Sequence, residues 1–292
     1  MKWGFLSANH VGGPRPDVLA RELEQRGFDS YWVPEHSHIP VDRTSPYPGG
    51  GELPDGYWHM MDPFVSLMAA ASATESITLA TGICLVLEHD ALDLAKTVAT
   101  LDALSGGRVL LGIGVGWNAE ELANHRPDLP FNKRFSAMRD RVAALRAAWT
   151  MEEASYEGTW DRFTPSWVYP KPAQASVPIA LGNAGPVGIR HAAEYADEWC
   201  PIDASLYSLS GEGSATAAIE HFRNLVEEGG RDRNSVPISL FTWGRPKPHR
   251  LEAYQEAGVD RLVFLPPTMD TSRSELELSF LDEVAPLIAQ FS

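Results

Sequence analysis

The stretch Leu101-Asp102-Ala103-Leu104-Ser105-Gly106-Gly107-Arg108-Val109-Leu110-Leu111-Gly112-Ile113-Gly114-Val115-Gly116-Trp117 decides the fold. It opens as the last turn of a helix, Ala91 to Leu104. Ser105-Gly106-Gly107 ends that helix, because glycine accepts the left-handed backbone of a helix C-terminus. A strand follows, Arg108 to Val115, apolar almost throughout. A strand without polar alternation is covered on both faces, as in a parallel sheet walled by helices. Gly112, Gly114 and Gly116 recur at period two, which leaves one strand face bare. A bare face admits a flat ring or another backbone; tight packing inside a barrel explains Gly112 equally well.

Outward from this unit the same alternation repeats. On the N-terminal side come strand Trp3 to Ala8, helix Pro16 to Arg26 with Gly27 as its stop, and strand Ser30 to Pro34. A long loop to about Met61 follows, then helix Pro63 to Ala73 capped by Asp62, and an apolar strand, Ile77 to Leu87. On the C-terminal side a helical stretch, broken by the turn Arg126-Pro127 to Pro130, resumes through Trp149. Ser155 to Pro172 reads as a small hairpin-like excursion. Strand Pro178 to Leu181, helix Val187 to Tyr195 and strand Glu198 to Pro201 then restore the pattern. After them come a Ser/Gly-rich loop Ser205 to Ser214, helix Ala215 to Glu228, strand Ile238 to Thr242, helix His249 to Ala257, strand Arg261 to Leu265 and helix Ser274 to Ala289. Eight strands close a (β/α)8 TIM barrel, here with insertions at the C-terminal face, and no linker divides residues 1–292 into more than one domain. A doubly wound open sheet is the competing architecture; no G-x-G-x-x-G follows the first strand to support it.

Composition narrows the function. A formal net charge of -15, from 24 Lys+Arg against 39 Asp+Glu, argues against nucleic acid or an anionic membrane surface as partner. Backbone N–H groups still bind a phosphate-bearing cofactor without net positive charge. The two cysteines, Cys84 and Cys200, lie in strand-like runs and suggest neither a disulfide framework nor a metal knuckle. Met1-Lys2-Trp3-Gly4-Phe5 enters a strand at once, without a signal-peptide pattern, and no apolar run reaches spanning length, so a reducing, cytoplasmic setting is expected.

In such barrels the chemistry sits at the C-terminal strand ends. After the second strand stands Pro34-Glu35-His36-Ser37-His38, where a carboxylate beside an imidazole offers an acid/base pair. The same residues fit a surface loop with chance histidines, and His36-x-His38 also admits a metal. In the third strand Gly82 marks a bulge, a close backbone approach or a packing glycine. Gly182-Asn183-Ala184-Gly185-Pro186 opens a helix and forms an anion site of consecutive N–H groups, or an ordinary turn. Trp58 and His59, with Gly49-Gly50-Gly51, suit a lid over the mouth or a plain surface loop. Arg245 and Lys247 follow the seventh strand, where barrels often help to bind phosphate, and fit solvated charges as well.

Asp62-Pro63-Phe64, Thr81-Gly82-Ile83, Ala99 through Arg108 and Gly112 through Trp117 together resemble the luciferase-like monooxygenase superfamily, more closely its F420 (deazaflavin)-dependent oxidoreductase branch. The resemblance runs to about residue 202 and returns at Gly258-Val259-Asp260-Arg261. It implies a hydride transfer between F420 and a small organic substrate. It implies a non-prolyl cis peptide at Gly82-Ile83 against the ring, with Gly116 and Trp117 at the mouth, and a phosphate held by the backbone of Gly182, Asn183, Ala184 and Gly185. It implies that Glu35 contacts the deazaflavin and that His36 handles the substrate proton. A homodimer follows from the same resemblance. Two positions depart from the sugar-phosphate dehydrogenases of the branch: Pro40 replaces a Trp, and Trp117 replaces a Glu, so that reaction is not implied. Three alternatives remain: an FMN-dependent monooxygenase using reduced FMN and O2, a metal-dependent hydrolase using His36 and His38, and a non-catalytic flavin carrier.

Overall fold

The computed structural model describes residues 1–209 and 215–291. Its strands are β1 (Lys2–Leu6), β2 (Ser30–Val33), β3 (Thr78–Thr81), β4 (Cys84–Leu85), β5 (Val109–Gly114), β6 (Ala154–Glu157), β7 (Arg162–Ser166), β8 (Ile179–Leu181), β9 (Glu198–Trp199), β10 (Ser239–Trp243) and β11 (Arg261–Leu265). The helices are α1 (Pro16–Gln25), α2 (Pro63–Ala73), α3 (Ala91–Ser105), α4 (Ala119–His125), α5 (Arg134–Thr150), α6 (Pro186–Tyr195), α7 (Asp203–Leu209), α8 (Ala215–Glu228), α9 (Pro248–Glu256) and α10 (Leu276–Phe291).

Eight parallel strands follow the order β10-β11-β1-β2-β3-β5-β8-β9. The two ends of that order meet through the parallel bridges Trp199↔Ile238 and Ile202↔Phe241, which close a (β/α)8 barrel. Leu6, Trp32, Ala80, Leu110, Ala180, Cys200, Phe241, Val263 and Leu265 fill the inside. Trp32 meets Phe241 edge-on at 5.1 Å between ring centroids, so the bore is packed and any ligand must sit above it. A second, larger apolar layer lies between strands and helices, which is why the strands read as unbroken apolar runs.

The helix boundaries obey the local signals. Asp62 caps α2 by accepting from Val65 N–H at 2.9 Å, with Pro63 in the first turn. Gly106 ends α3 at φ 72°. Asp102 and Arg108, prominent in the motif, act at the other end of the barrel from the mouth. Asp102 accepts from Val109 N–H, Gln174 N–H and Gln174 Nε2, while Arg108 donates to Ser105, Thr74, Ile77 and Ala71. They staple α2, α3 and β5 together.

Two expected elements differ. The single strand over Ile77 to Leu87 is instead β3, a break at the cis peptide Gly82-Ile83, the short β4 on β5, and a 3-10 turn over Val86–Glu88. The loop over Ser205 to Ser214 is helical from Asp203 to Leu209 as α7; residues 210–214 lie outside the described residues. The hairpin-like excursion is the antiparallel pair β6–β7. No helix among the described residues is long and apolar enough to cross a membrane.

Candidate active site

The site is built where β2, β3, β5 and β8 end. Gly82-Ile83 is cis, and the Ile83 side chain turns across the mouth. A Cβ on Gly114 would stand 2.5 Å from Ile83 Cδ1, and one on Gly182 would stand 2.8 Å from Ile83 Cγ2. A Cβ on Gly112 would lie 2.0 Å from Thr81 O. Of the occupants that a bare strand face admits, a flat ring or another backbone, the structure has the second: the glycines make room for the kinked β3 segment, and Ile83 becomes the floor of the mouth. Gly116, at φ 70°, turns the chain outward and carries Trp117 to the rim.

Glu35 and His36 are adjacent in sequence, but their side chains take different partners. Glu35 turns towards Leu85 and His89. Its Oε2 accepts from Leu85 N–H at 2.6 Å and its Oε1 meets His89 Nε2 at 2.7 Å. Burial alone would push the Glu35 carboxyl up, but the His89 hydrogen bond and charge and the Leu85 N–H hold it below the usual range. His89 is raised in return: burial acts to lower it, and the Glu35 partner outweighs burial. Glu35 therefore pins β4, immediately after the cis peptide, and does not pair with His36.

His36 pairs with Glu121. Its Nδ1 lies 2.7 Å from Glu121 Oε2, and the two side chains are 7% and 1% exposed. No hydrogen bond within the protein engages His36 Nε2 among the described residues. Tyr57 and Trp117 flank the imidazole at ring-centroid distances of 5.4 and 5.7 Å, and Tyr57 O–H donates to Tyr47. Tyr57 enters on the long loop after β2. That loop is held at one end by Glu120, which accepts from Thr44 and Ser45, and at the other by Asp55 on Thr271 and Gly56 N–H on Met269 O. Trp58 is 51% exposed and His59 turns back onto Asp55 O, an arrangement that matches the surface-loop reading of this segment. Arg245 and Lys247 are exposed as well.

His36 and His38 do not converge. His38 Nδ1 meets Ser37 Oγ and its Nε2 meets Asn124 Nδ2, both at 2.8 Å. The group with metal-like proximity among the described residues is Glu35, Cys84 and His89, but both oxygens of Glu35 already take protein donors. On the far side of Ile83, α6 starts at Gly185 with no side-chain cap and Pro186 at its first position. Its first-turn N–H groups carry the partial positive charge of a helix N-terminus. A Cβ on Gly185 would meet nothing within 4 Å, and Asn183 Oδ1 is buried without a hydrogen-bond partner. An open, uncapped amide cradle of this kind suits a phosphate.

Sequence reading missed Glu121, Tyr57, Tyr47 and His89. One signal for Glu121 was available: Asn118-x-x-Glu121 is a helix-start pattern, and Asn118 does cap α4 by accepting from Glu121 N–H at 3.3 Å. The Glu121 side chain leaves the box and reaches His36 instead.

The chain is 38% identical over 270 residues to an uncharacterized protein of Mycobacterium tuberculosis, covering 90% of this chain and 91% of that one. It is 30% identical over 203 residues to the F420-dependent glucose-6-phosphate dehydrogenase of Intrasporangium calvum, covering 68% of this chain and 56% of the relative. Among solved structures, an F420-dependent secondary alcohol dehydrogenase in complex with an F420-acetone adduct superposes with a TM-score of 0.74 at 19% identity, covering 98% of each chain. The profile of the luciferase-like monooxygenase family matches residues 17–278, and the chain belongs to that family.

Proposed function

We propose that this protein is an oxidoreductase that transfers a hydride between F420 and a small organic substrate. The observation that carries the reading is the His36 imidazole: buried, oriented through Nδ1 by Glu121, flanked by Tyr57 and Trp117, and with Nε2 unengaged among the described residues. The 30% identical relative and the superposed alcohol dehydrogenase, both named for F420, support that cofactor.

Bound F420 supplies a carbon that gives or takes a hydride; the protein supplies the rest. Ile83, seated over Gly114 and Gly182, would support one ring face and leave the other for substrate. The backbone of Gly182, Asn183, Ala184 and Gly185 and the first turn of α6 would hold the phosphate. His36 Nε2 would move the proton at the substrate oxygen, while Glu121 Oε2 steadies the positive charge that a doubly protonated ring carries. Trp117 and Tyr57 would keep water from the reacting atoms. Glu35 acts through Leu85 and His89 as a positioning residue for the floor.

We further propose that the chain works as a homodimer in a reducing compartment, consistent with free, buried Cys84 and Cys200. A groove of about 690 Å³ between α2 and α3, lined by Phe64, Met68, Leu94 and Leu101 and flanked by Val65 (70% exposed) and Leu104 (66% exposed), supplies an apolar face for the second copy.

Parallel titrations with F420 and FMN, followed by reduced-cofactor oxidation against ketones and enones without O2, test the assignment. Binding of F420 and anaerobic turnover are expected. Binding of FMN alone, with turnover only when O2 is present, would move the protein to the monooxygenase reading. Tight binding with no turnover would make it a carrier.

A further inference from the structure

Around Glu121, the partner of His36, lie two further buried carboxylates, Glu35 and Glu88, with the partly exposed histidines His89 and His125 beside them. Glu35, from the end of β2, is satisfied by His89 and Leu85 N–H. Glu121, from α4, is engaged by His36. Glu88, from the 3-10 turn after β4, has no such partner. Its side chain is 5% exposed, and its Oε2 has no hydrogen-bond donor. The other oxygen of the Glu121 pair, Oε1, is buried and equally undonated, and the two carboxylates lie against each other. The remaining neighbours do not neutralise Glu88. His125 Nε2, on α4, is 3.7 Å from Glu88 Oε2, beyond a hydrogen bond, and is 2.7 Å from Ser37 Oγ. Burial, and then the charge of His38, push His125 towards its neutral form. Arg141, on α5, holds its guanidinium on Asp161 at 2.7 and 2.8 Å and on the carbonyls of Val86 and His89. Backbone closes the remaining side: the Cβ position of Gly116 is 3.9 Å from Glu88 Oε1.

Two carboxylates in buried contact, with one cation-forming histidine between them and the mouth, are compatible only when they share a proton. Because Glu121 is already spoken for by His36, the proton belongs on the odd member. We propose that Glu88 is a positioning residue that works in its neutral, protonated form: its O–H donates to Glu121 Oε1, which leaves the negative charge on Glu121 and fixes Oε2 on His36 Nδ1. The chemistry is a donor–carboxylate–imidazole array in which the terminal donor is itself a carboxylic acid. Burial, reinforced by the charges of Glu121 and Glu35, pushes the Glu88 carboxyl up to about 9, in keeping with this role. The catalytic part of the proposal rests on the oxidoreductase reading above; the protonation state does not.

The test separates the two. Infrared difference spectra of the cofactor-free protein, wild type minus E88Q, are expected to show a protonated-carboxylic-acid carbonyl band at pH 7 that disappears on titration near pH 9. With E277Q as background, the raised Glu277 carboxyl leaves the spectrum, and Glu198, also raised by burial, is common to both proteins and cancels in the difference. The nitrogen shifts of His36, read by NMR, are expected to stay put in E88Q, whose amide still donates to Glu121, and to move in E88A. In the loaded enzyme kcat is expected to be kept in E88Q, with the alkaline limb of its pH profile gone. In E88A it is expected to fall roughly 10- to 100-fold, the usual worth of a hydrogen bond to a charged group. Absence of the infrared band overturns the proposal, as does E88Q behaving like E88A. If both variants misfold, the pH titration of the wild-type band decides alone. Presence of the band in a protein that binds neither cofactor would leave the proton where we place it and remove the oxidoreductase reading.

Discussion

Ile83 Cδ1 occupies the space that a side chain at Gly114 would need, the two being 2.5 Å apart from Cδ1 to a Cβ position. Ile83 and Gly114 thus form one packing unit across the β4–β5 contact, and neither position is independent of the other.

Gly114→Ala should force that unit apart. We expect a loss of about 1–3 kcal/mol in stability, the usual cost of overpacking. Cofactor affinity should fall with it, because the floor must shift. Ile83→Val in the same background should restore part of both, read by denaturant melts and by cofactor titration. Failure of the double variant to recover would show that the two residues are not coupled.

His36→Asn keeps a polar side chain without a titrating nitrogen. The expected result is a fall in kcat of roughly 10²–10⁴-fold with cofactor affinity retained, as for removal of a general acid or base. Steady-state kinetics and titration of the same preparation check this; an unchanged kcat would require another proton carrier.

Arg141 and Asp161 form a bidentate pair, 2% and 8% exposed, that ties the β6–β7 turn to the carbonyls of Val86 and His89. Asp161→Ala leaves the guanidinium charge buried and unpaired. A destabilisation of about 3–5 kcal/mol is expected in chemical denaturation. A loss below 1 kcal/mol would mean that water reaches Arg141 from the adjoining surface.

Glu277, at the start of α10, is 3% exposed and accepts from Ala8 N–H at 3.3 Å; burial pushes its carboxyl up to about 7. The sign is that of a buried acid. Below its ordinary value of 4.5 both folded and unfolded chains hold the proton. Between 4.5 and about 7 the folded chain keeps a proton that the unfolded chain has lost, so stability falls as pH rises. The full penalty, of order 3 kcal/mol, is present above pH 7. Glu277→Gln should flatten melting temperature across this range and raise it at pH 8. A variant that follows the wild-type profile would place the titration elsewhere.

If α2 and α3 carry the subunit contact, Val65→Glu together with Leu104→Glu should yield monomers of unchanged secondary structure. Light scattering after size exclusion, on wild type and variant at matched concentration, measures it. A wild-type monomer would remove the dimer from the proposed function.

Strand and helix order was legible because each local signal agreed with the barrel: Gly106 ended α3, Asp62-Pro63 began α2, and both-face burial made the strands apolar. The third strand was legible in part: Ile77 to Leu87 reads as one apolar run, and the run alone does not show that its pairing stops at Thr81, but Gly82 marked the irregular position and the family resemblance put the cis peptide at Gly82-Ile83, where the structure has it. His36 was legible as a mouth residue, but its partner was not. Glu121 lies 85 positions away, and only the packing of α4 over the β2 end joins them. Adjacency misled in the opposite sense for Glu35: the two neighbours follow β2, and each side chain is taken by a different partner, Glu35 by His89 and Leu85 N–H, His36 by Glu121.

The loop after β2 is moored at both ends, by Glu120 on Thr44 and Ser45 and by Asp55 on Thr271, yet it bears Tyr57 against His36. The floor at Ile83 is interlocked with glycines and tolerates little change, whereas the segment between those moorings is free to vary without disturbing a strand. Altered substrate scope, whether by natural drift or by engineering, should therefore be sought in the exposed residues 48–52, where diversity leaves the cylinder and Tyr47 intact.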